Sequence, residues 1–145
     1  MGKGIAFFDF DGTITTKDSY FEFLIYCFGW KAVIAEAAKT VPIVISYIFH
    51  FCDNETAKQS ITRNFFRGME EEKFDKLCKG FEATRLNRIL RPKAIEKIKW
   101  HQEQGHEVYL VSASFTKYLK FFAEKYDMPI LYSCHPRSKK RLEAS

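Results

Sequence analysis

Two short apolar runs of strand character lie either side of a long stretch with helical period. Ile5–Phe8 (IAFF) is unbroken and ends at Asp9; such a run predicts a strand buried on both faces of a parallel sheet. Asp11-Gly12-Thr13 then supplies turn chemistry just past the strand's carboxyl end, where open α/β sheets build their ligand sites. Ser19 and Glu22 have the spacing of a capping box ahead of Phe23, Leu24 and Tyr26, so a helix is predicted from Ser19 with a break at Gly29. Helical patterning runs on through Val33–Lys39, and Pro42 opens a further helix. Asp53 or Asn54 caps the next, in which Ala57, Ile61 and Phe65 recur every four residues until Gly68. Phe74, Leu77, Cys78, Phe81, Leu86, Ile89 and Leu90 carry the period on to Pro92.

Beyond Pro92 the pattern changes. Ala94, Ile95, Ile98 and Trp100 predict a helix from Pro92 to Gln104 with Gly105 as its stop. Glu107–Val111 (EVYLV) is the second strong strand and runs directly into Ser112-Ala113-Ser114. Phe115, Tyr118, Leu119 and Phe122 mark another helix, and Pro129–Tyr132 a third strand. The order is strand, helical insertion, helix, strand, helix, strand. It predicts an α/β fold with a parallel sheet flanked by helices. The core spans 1–16 and 90–145, and an all-helical insertion spans 17–89.

The chain has 145 residues, 46% hydrophobic and 17% aromatic, enough for a packed core and against disorder. Four cysteines, Cys27, Cys52, Cys78 and Cys134, include no CxxC pair, and Met1–Gly4 leads into a strand without a signal-like segment. Reduced thiols in the cytoplasm are the expectation. Val41–Cys52 (VPIVISYIFHFC) is the most apolar run, but Lys31, Glu36 and Lys39 interrupt its extension. It reads as a buried or partner-facing helix, not a membrane span. The net charge is +5, of which +3 falls in the last fifteen residues through Arg137, Lys139, Lys140 and Arg141 against Glu143. A basic tail without aromatic–basic interleaving argues against nucleic acid as a partner.

The candidate chemistry sits after the two strands. In Asp9-Phe10-Asp11-Gly12-Thr13 two carboxylates lie two apart and face one side if extended geometry continues. One can attack while its neighbour handles a proton. Gly12 permits a sharp turn, and Thr13 is the hydroxyl expected to hold the loop. After the second strand, Ser112 is a candidate phosphoryl contact, and Ser114 suits the N-cap of the next helix. Arg63, Arg67 and Arg85 suit anionic groups if they face a ligand, and Asp18 is a possible lining residue. His50, His101 and His106 show no metal-pair spacing.

The stretch FFDFDGTIT resembles the first motif of the haloacid dehalogenase superfamily, and YLVSAS resembles its second. The resemblance implies a Rossmann-like parallel core and Mg²⁺-dependent hydrolysis of a small phosphorylated substrate. It implies that Asp9 becomes an aspartyl-phosphate and that Asp11 protonates the leaving group and then activates water. Asp9 with Asp11, the latter through its backbone carbonyl, would bind the metal. Ser112, the backbone of Ala113 and Thr13 would bind the phosphoryl group. The helical insertion resembles a type-1 cap, and ILRPKAIEKI with VSAS resembles the phosphoserine-phosphatase-like branch, subfamily IB. Past Tyr132 there is no aspartate and no strand followed by an acidic pair. Lys139 and Lys140 are the only late lysines, nearer Ser112 than the family generally places its lysine. The expectation is a chain that stops before the family's full apparatus, with a ligand- or partner-binding module as the alternative.

Overall fold

The apolar run becomes strand β1 (Ile5–Asp9), and β2 (Glu107–Ser112) and β3 (Ile130–Tyr132) follow it. The structure, a computed structural model, describes residues 3–39, 61–112 and 117–132. The strands form one parallel sheet in the order β1-β2-β3. Ile5 pairs with Glu107, Phe7 with Tyr109 and Asp9 with Val111, while Ser112 pairs with Tyr132. The fold is the expected α/β arrangement.

Alternation sets the two sides of this sheet. Val108, Leu110 and Ser112 are buried, whereas Ile5 and Phe7 are 58% and 61% exposed and Leu131 is 43% exposed. The expectation of a β1 buried on both faces is therefore corrected. Among the described residues, the core lies on the side of Leu110, and an apolar run alone does not reveal which face finds cover. On the open side the Phe7 and Tyr109 rings stack at 5.7 Å.

Helices lie between the strands in sequence. They include α1 (Ser19–Phe28), α2 (Trp30–Lys39), α3 (Glu71–Phe81) and α4 (Pro92–Glu103). A fifth, α5 (Lys117–Lys125), joins β2 to β3. Pro92 opens α4, where its missing N–H and fixed φ cost nothing. Gly105 follows α4 at φ +74°, a left-handed conformation that favours glycine. The next turn uses Asp127 at φ +51°, and the Gln102 amide steadies that turn by donating to the Tyr126 carbonyl at 2.7 Å.

The chain divides into two compact units, Met1–Ser19 with Lys79–Ser145, and Tyr20–Cys78. In the first, Ile98 on α4 and Tyr118, Leu119 and Phe122 on α5 are fully buried, as is Leu110 on β2. Phe10 meets Phe122 edge-on at 5.0 Å. Residues 79–89, expected in the insertion, belong to this unit. Phe81 packs edge-on against Tyr118 at 5.0 Å, and Lys125 reaches Glu82 at 3.2 Å. Here the helix continues past α3 in wider π-type turns, Glu82–Leu86, before a last turn at Asn87–Ile89.

The described elements of the second unit are all helices, parted at Gly29 and at residues 67–70. Gly29 at φ +83° separates α1 from α2, as predicted. Its core is Tyr20, Leu24 and Val33, packed by Phe28, Ile61, Phe65 and Phe66. Phe28 stacks on Phe65 at 4.7 Å, and Phe23 on Phe66 at 5.7 Å. The predicted helix at Pro42 and the apolar run Val41–Cys52, with His50, lie outside the described residues, as does the tail after Tyr132. Among the described residues no helix is long and apolar enough to cross a membrane.

Candidate functional site

At the carboxyl end of β1 the chain leaves the sheet in one tight loop. Asp9 is exposed and extended (φ −70°, ψ 147°), and a π-type turn, Phe10–Ile14, begins after it. Asp11 interrupts that turn with extended angles (φ −69°, ψ 126°) and Gly12 with left-handed ones (φ 79°, ψ −13°). Only glycine adopts the latter without strain. Phe10 and Ile14, both fully buried, anchor the loop on either side of its polar tip.

A hydroxyl holds this loop, but it belongs to Thr15. Thr15 is fully buried. Its Oγ1 accepts the Gly12 N–H at 3.2 Å and donates to the Lys17 carbonyl at 2.6 Å. Its own N–H closes the turn on the Phe10 carbonyl at 3.1 Å. Thr13 is exposed instead, so the expectation that Thr13 pins the loop is corrected. The turn's path directs the second threonine inward and the first outward.

The loop is also stitched to the returning chain. Thr16 N–H donates to the Ile89 carbonyl and Arg91 N–H to the Ile14 carbonyl, each at 2.7 Å. Thr15 and Leu90 form an antiparallel bridge. These bonds join residues more than seventy positions apart.

Asp11 has a defined partner. Its Oδ1 accepts the Ser19 N–H at 2.8 Å. Ser19 opens α1 as predicted, but this amide goes to Asp11, and its buried Oγ lies 2.9 Å from the Tyr118 hydroxyl on α5. Ser112, at the end of β2, is 3% exposed. The sheet thus brings Asp9, Asp11 and Ser112 to one end of two adjacent strands. In register Ser112 lies one residue beyond the partner of Asp9, on the alternate face. Ala113 and Ser114 lie outside the described residues.

The other candidates are dispersed. Arg63 and Arg67 are exposed, while Arg85 and Asp18 are half-buried. His101 and His106 face each other at the opposite end of the strands, Nδ1 to Nδ1 at 2.9 Å. Sequence reasoning missed Thr15 and Tyr118. For Tyr118 a signal existed, because a tyrosine at a core position of a helix needs a partner for its hydroxyl.

Comparison with known proteins decides the family. The sequence profile of haloacid dehalogenase-like hydrolases matches residues 6–138. The chain belongs to that family. Protein CicA of Caulobacter vibrioides is 28% identical over 109 residues, covering 74% of this chain and 47% of CicA. A protein of unknown function from Bordetella pertussis Tohama I superposes with TM-score 0.72 at 16% identity, over 90% of this chain and 60% of that one. A phosphoserine phosphatase, solved as a phospho-aspartyl intermediate analogue, gives 0.57 at 20% identity, over 90% of this chain and 55% of that one. A phosphoserine phosphohydrolase-like protein from Francisella tularensis subsp. tularensis SCHU S4 gives 0.57 at 18%, over 90% and 58%. This chain spans about half the length of CicA and under two thirds of these structures.

Proposed function

We propose that this chain carries the nucleophile end of a phosphomonoester hydrolase acting on a small phosphorylated metabolite. The observation that carries the reading is the loop after β1. It leaves Asp9 exposed at the carboxyl end of a parallel strand and ties Asp11 two residues on by Ser19 N–H. In this mechanism a carboxylate oxygen of Asp9 attacks phosphorus, and the bond from phosphorus to the leaving oxygen breaks. Asp11 gives that oxygen its proton. Water then attacks the aspartyl-phosphate, losing a proton to Asp11; inorganic phosphate departs and Asp9 is restored. Ser112, the Ala113 amide and Thr13 orient the phosphoryl oxygens.

The donor set at this end is one of oxygens, the Asp9 carboxylate and the Asp11 main-chain carbonyl. Magnesium takes oxygen ligands and keeps several waters, so these two residues fit it. Among the described residues no group of three or more His, Cys, Asp or Glu converges. A Mg²⁺ ion held by these two residues would offset the repulsion between an anionic nucleophile and an anionic phosphate. The helical residues following the loop serve as a type-1 cap that selects substrate, as in a phosphoserine-phosphatase-like branch, and the setting is cytoplasmic.

The test is hydrolysis of p-nitrophenyl phosphate by the full chain with Mg²⁺, wild type against Asp9→Asn. Turnover that depends on Asp9 supports the reading, and turnover that survives Asp9→Asn sinks it. A second reading, a partner-binding module, is favoured by the open side of β1, where Ile5 and Phe7 are exposed. It predicts full binding with no Asp9-dependent turnover.

A further inference from the structure

We infer that Ser19 and Tyr118 are positioning residues for Asp11, an inference that rests on the acid–base role proposed for that carboxylate. Two hydrogen bonds in series connect them. Tyr118 hydroxyl and Ser19 Oγ are 2.9 Å apart, and Ser19 N–H donates to Asp11 Oδ1 at 2.8 Å. Tyr118 and Ser19 are both fully buried, whereas Asp11 is half-buried. The chain therefore runs from the core outward to the reacting end of the sheet.

Each link has a physical reason. Ser19 is the first residue of α1, so its N–H is one of the amides that find no acceptor inside the helix. An anion placed there also meets the positive end of the helix dipole. Asp11, eight residues earlier, supplies that anion. The amide holds the carboxylate by Oδ1 in one orientation only if Ser19 itself stays put. Tyr118 secures this. Its ring is wedged in the core against Phe81 at 5.0 Å, and its hydroxyl, on a residue 99 positions away, clamps the Ser19 side chain. A phenylalanine fills the same space, so the hydroxyl marks a polar requirement.

Geometry then limits the reaction. A general acid delivers its proton only within hydrogen-bond reach of the leaving oxygen, and small misplacements of a reacting group cost rate steeply. Loosening Ser19 leaves the Asp11 carboxylate chemically intact but less often aligned. The loss falls on kcat rather than on substrate affinity.

The experiment compares the full chain with Tyr118→Phe, Ser19→Ala and the double variant. Tyr118→Phe keeps the ring, and Ser19→Ala keeps the amide. With p-nitrophenyl phosphate and Mg²⁺, each single variant is expected to lower kcat by about tenfold with KM nearly unchanged. The double variant is expected to match the singles, since all remove one bond. Independently of turnover, the Ser19 amide proton, held on Asp11 Oδ1 at 2.8 Å, should exchange slowly with solvent in the wild type and several-fold faster in Tyr118→Phe. A kcat unchanged in both single variants, or a Ser19 amide whose exchange is indifferent to Tyr118→Phe, overturns the inference. An amide that responds as expected in a chain without Asp9-dependent turnover supports the positioning and overturns the hydrolase reading.

Discussion

Thr15→Val removes one hydroxyl from a fully buried position and leaves the side-chain shape nearly intact, so its cost isolates the polar contribution to the loop. The hydroxyl has two close bonds, accepting Gly12 N–H at 3.2 Å and donating to the Lys17 carbonyl at 2.6 Å, with the Phe10 carbonyl a longer contact at 3.4 Å. At about 1 kcal/mol net for each intramolecular bond, the change costs about 2 kcal/mol. That is roughly a 30-fold fall in the ratio of folded to unfolded chain. Gly12 and Lys17 are exposed, so water takes over part of the pairing and keeps the cost from rising further. Thr15→Ser is the control: it keeps the hydroxyl and loses a methyl worth about 0.8 kcal/mol. The assay is urea unfolding followed by Trp100 fluorescence in a Trp30→Phe background, because Trp100 lies on α4 in the unit containing the loop. Thr15→Val should lower the midpoint more than Thr15→Ser at unchanged slope. It should also reduce Asp9-dependent turnover while Thr15→Ser retains it. A Thr15→Val chain within about 0.5 kcal/mol of wild type would show that packing of Phe10 and Ile14, not the Thr15 hydroxyl, shapes the loop.

Three further outcomes follow from other parts of the molecule. Leu110, fully buried on the central strand, should cost about 3 kcal/mol on truncation to alanine, and a shift under about 1 kcal/mol in urea unfolding would show a poorly packed core. His101 is held below its ordinary value by burial first, then by Lys97 and His106. The unfolded chain therefore takes up that proton at higher pH than the folded one. Its stabilising contribution is present above about pH 6.5 and is lost as pH falls toward the lower folded value; His101→Gln should flatten that part of the stability-against-pH curve. Burial first, and Cys78 second, push the Cys27 thiol up to about 12; alkylation of Cys27 at pH 8 should be slower in the folded chain than in urea, and equal rates would contradict its burial.

Much of the fold was legible because its signals are local. Pro92 and Gly105 bracket α4, Gly29 parts α1 from α2, and the alternation of β2 fixes which of its residues are buried. Burial of β1 was not legible. IAFF shows that a strand is apolar, but the cover over Ile5 and Phe7 depends on elements remote in sequence. The two aspartates could be read from their spacing behind a strand. The loop's internal bonding could not, because Thr13 and Thr15 are the same residue type and only the Gly12 turn at φ +79° decides which faces inward. The Ser19–Tyr118 bond joins residues 99 apart, and no pattern along the chain connects them. The Gly4–His106 contact is of the same kind: a Cβ on Gly4 would meet the His106 ring at 2.8 Å.

In the proposed reaction Asp9 takes up the phosphoryl group. Acid quenching of the full chain during turnover of an aryl phosphate with Mg²⁺, followed by peptide mass spectrometry, tests this most directly. The expected result is a phosphoryl adduct on the peptide containing Asp9, absent after Asp9→Asn together with turnover. Turnover with the adduct on another residue, or persisting in the Asp9→Asn chain, would contradict it.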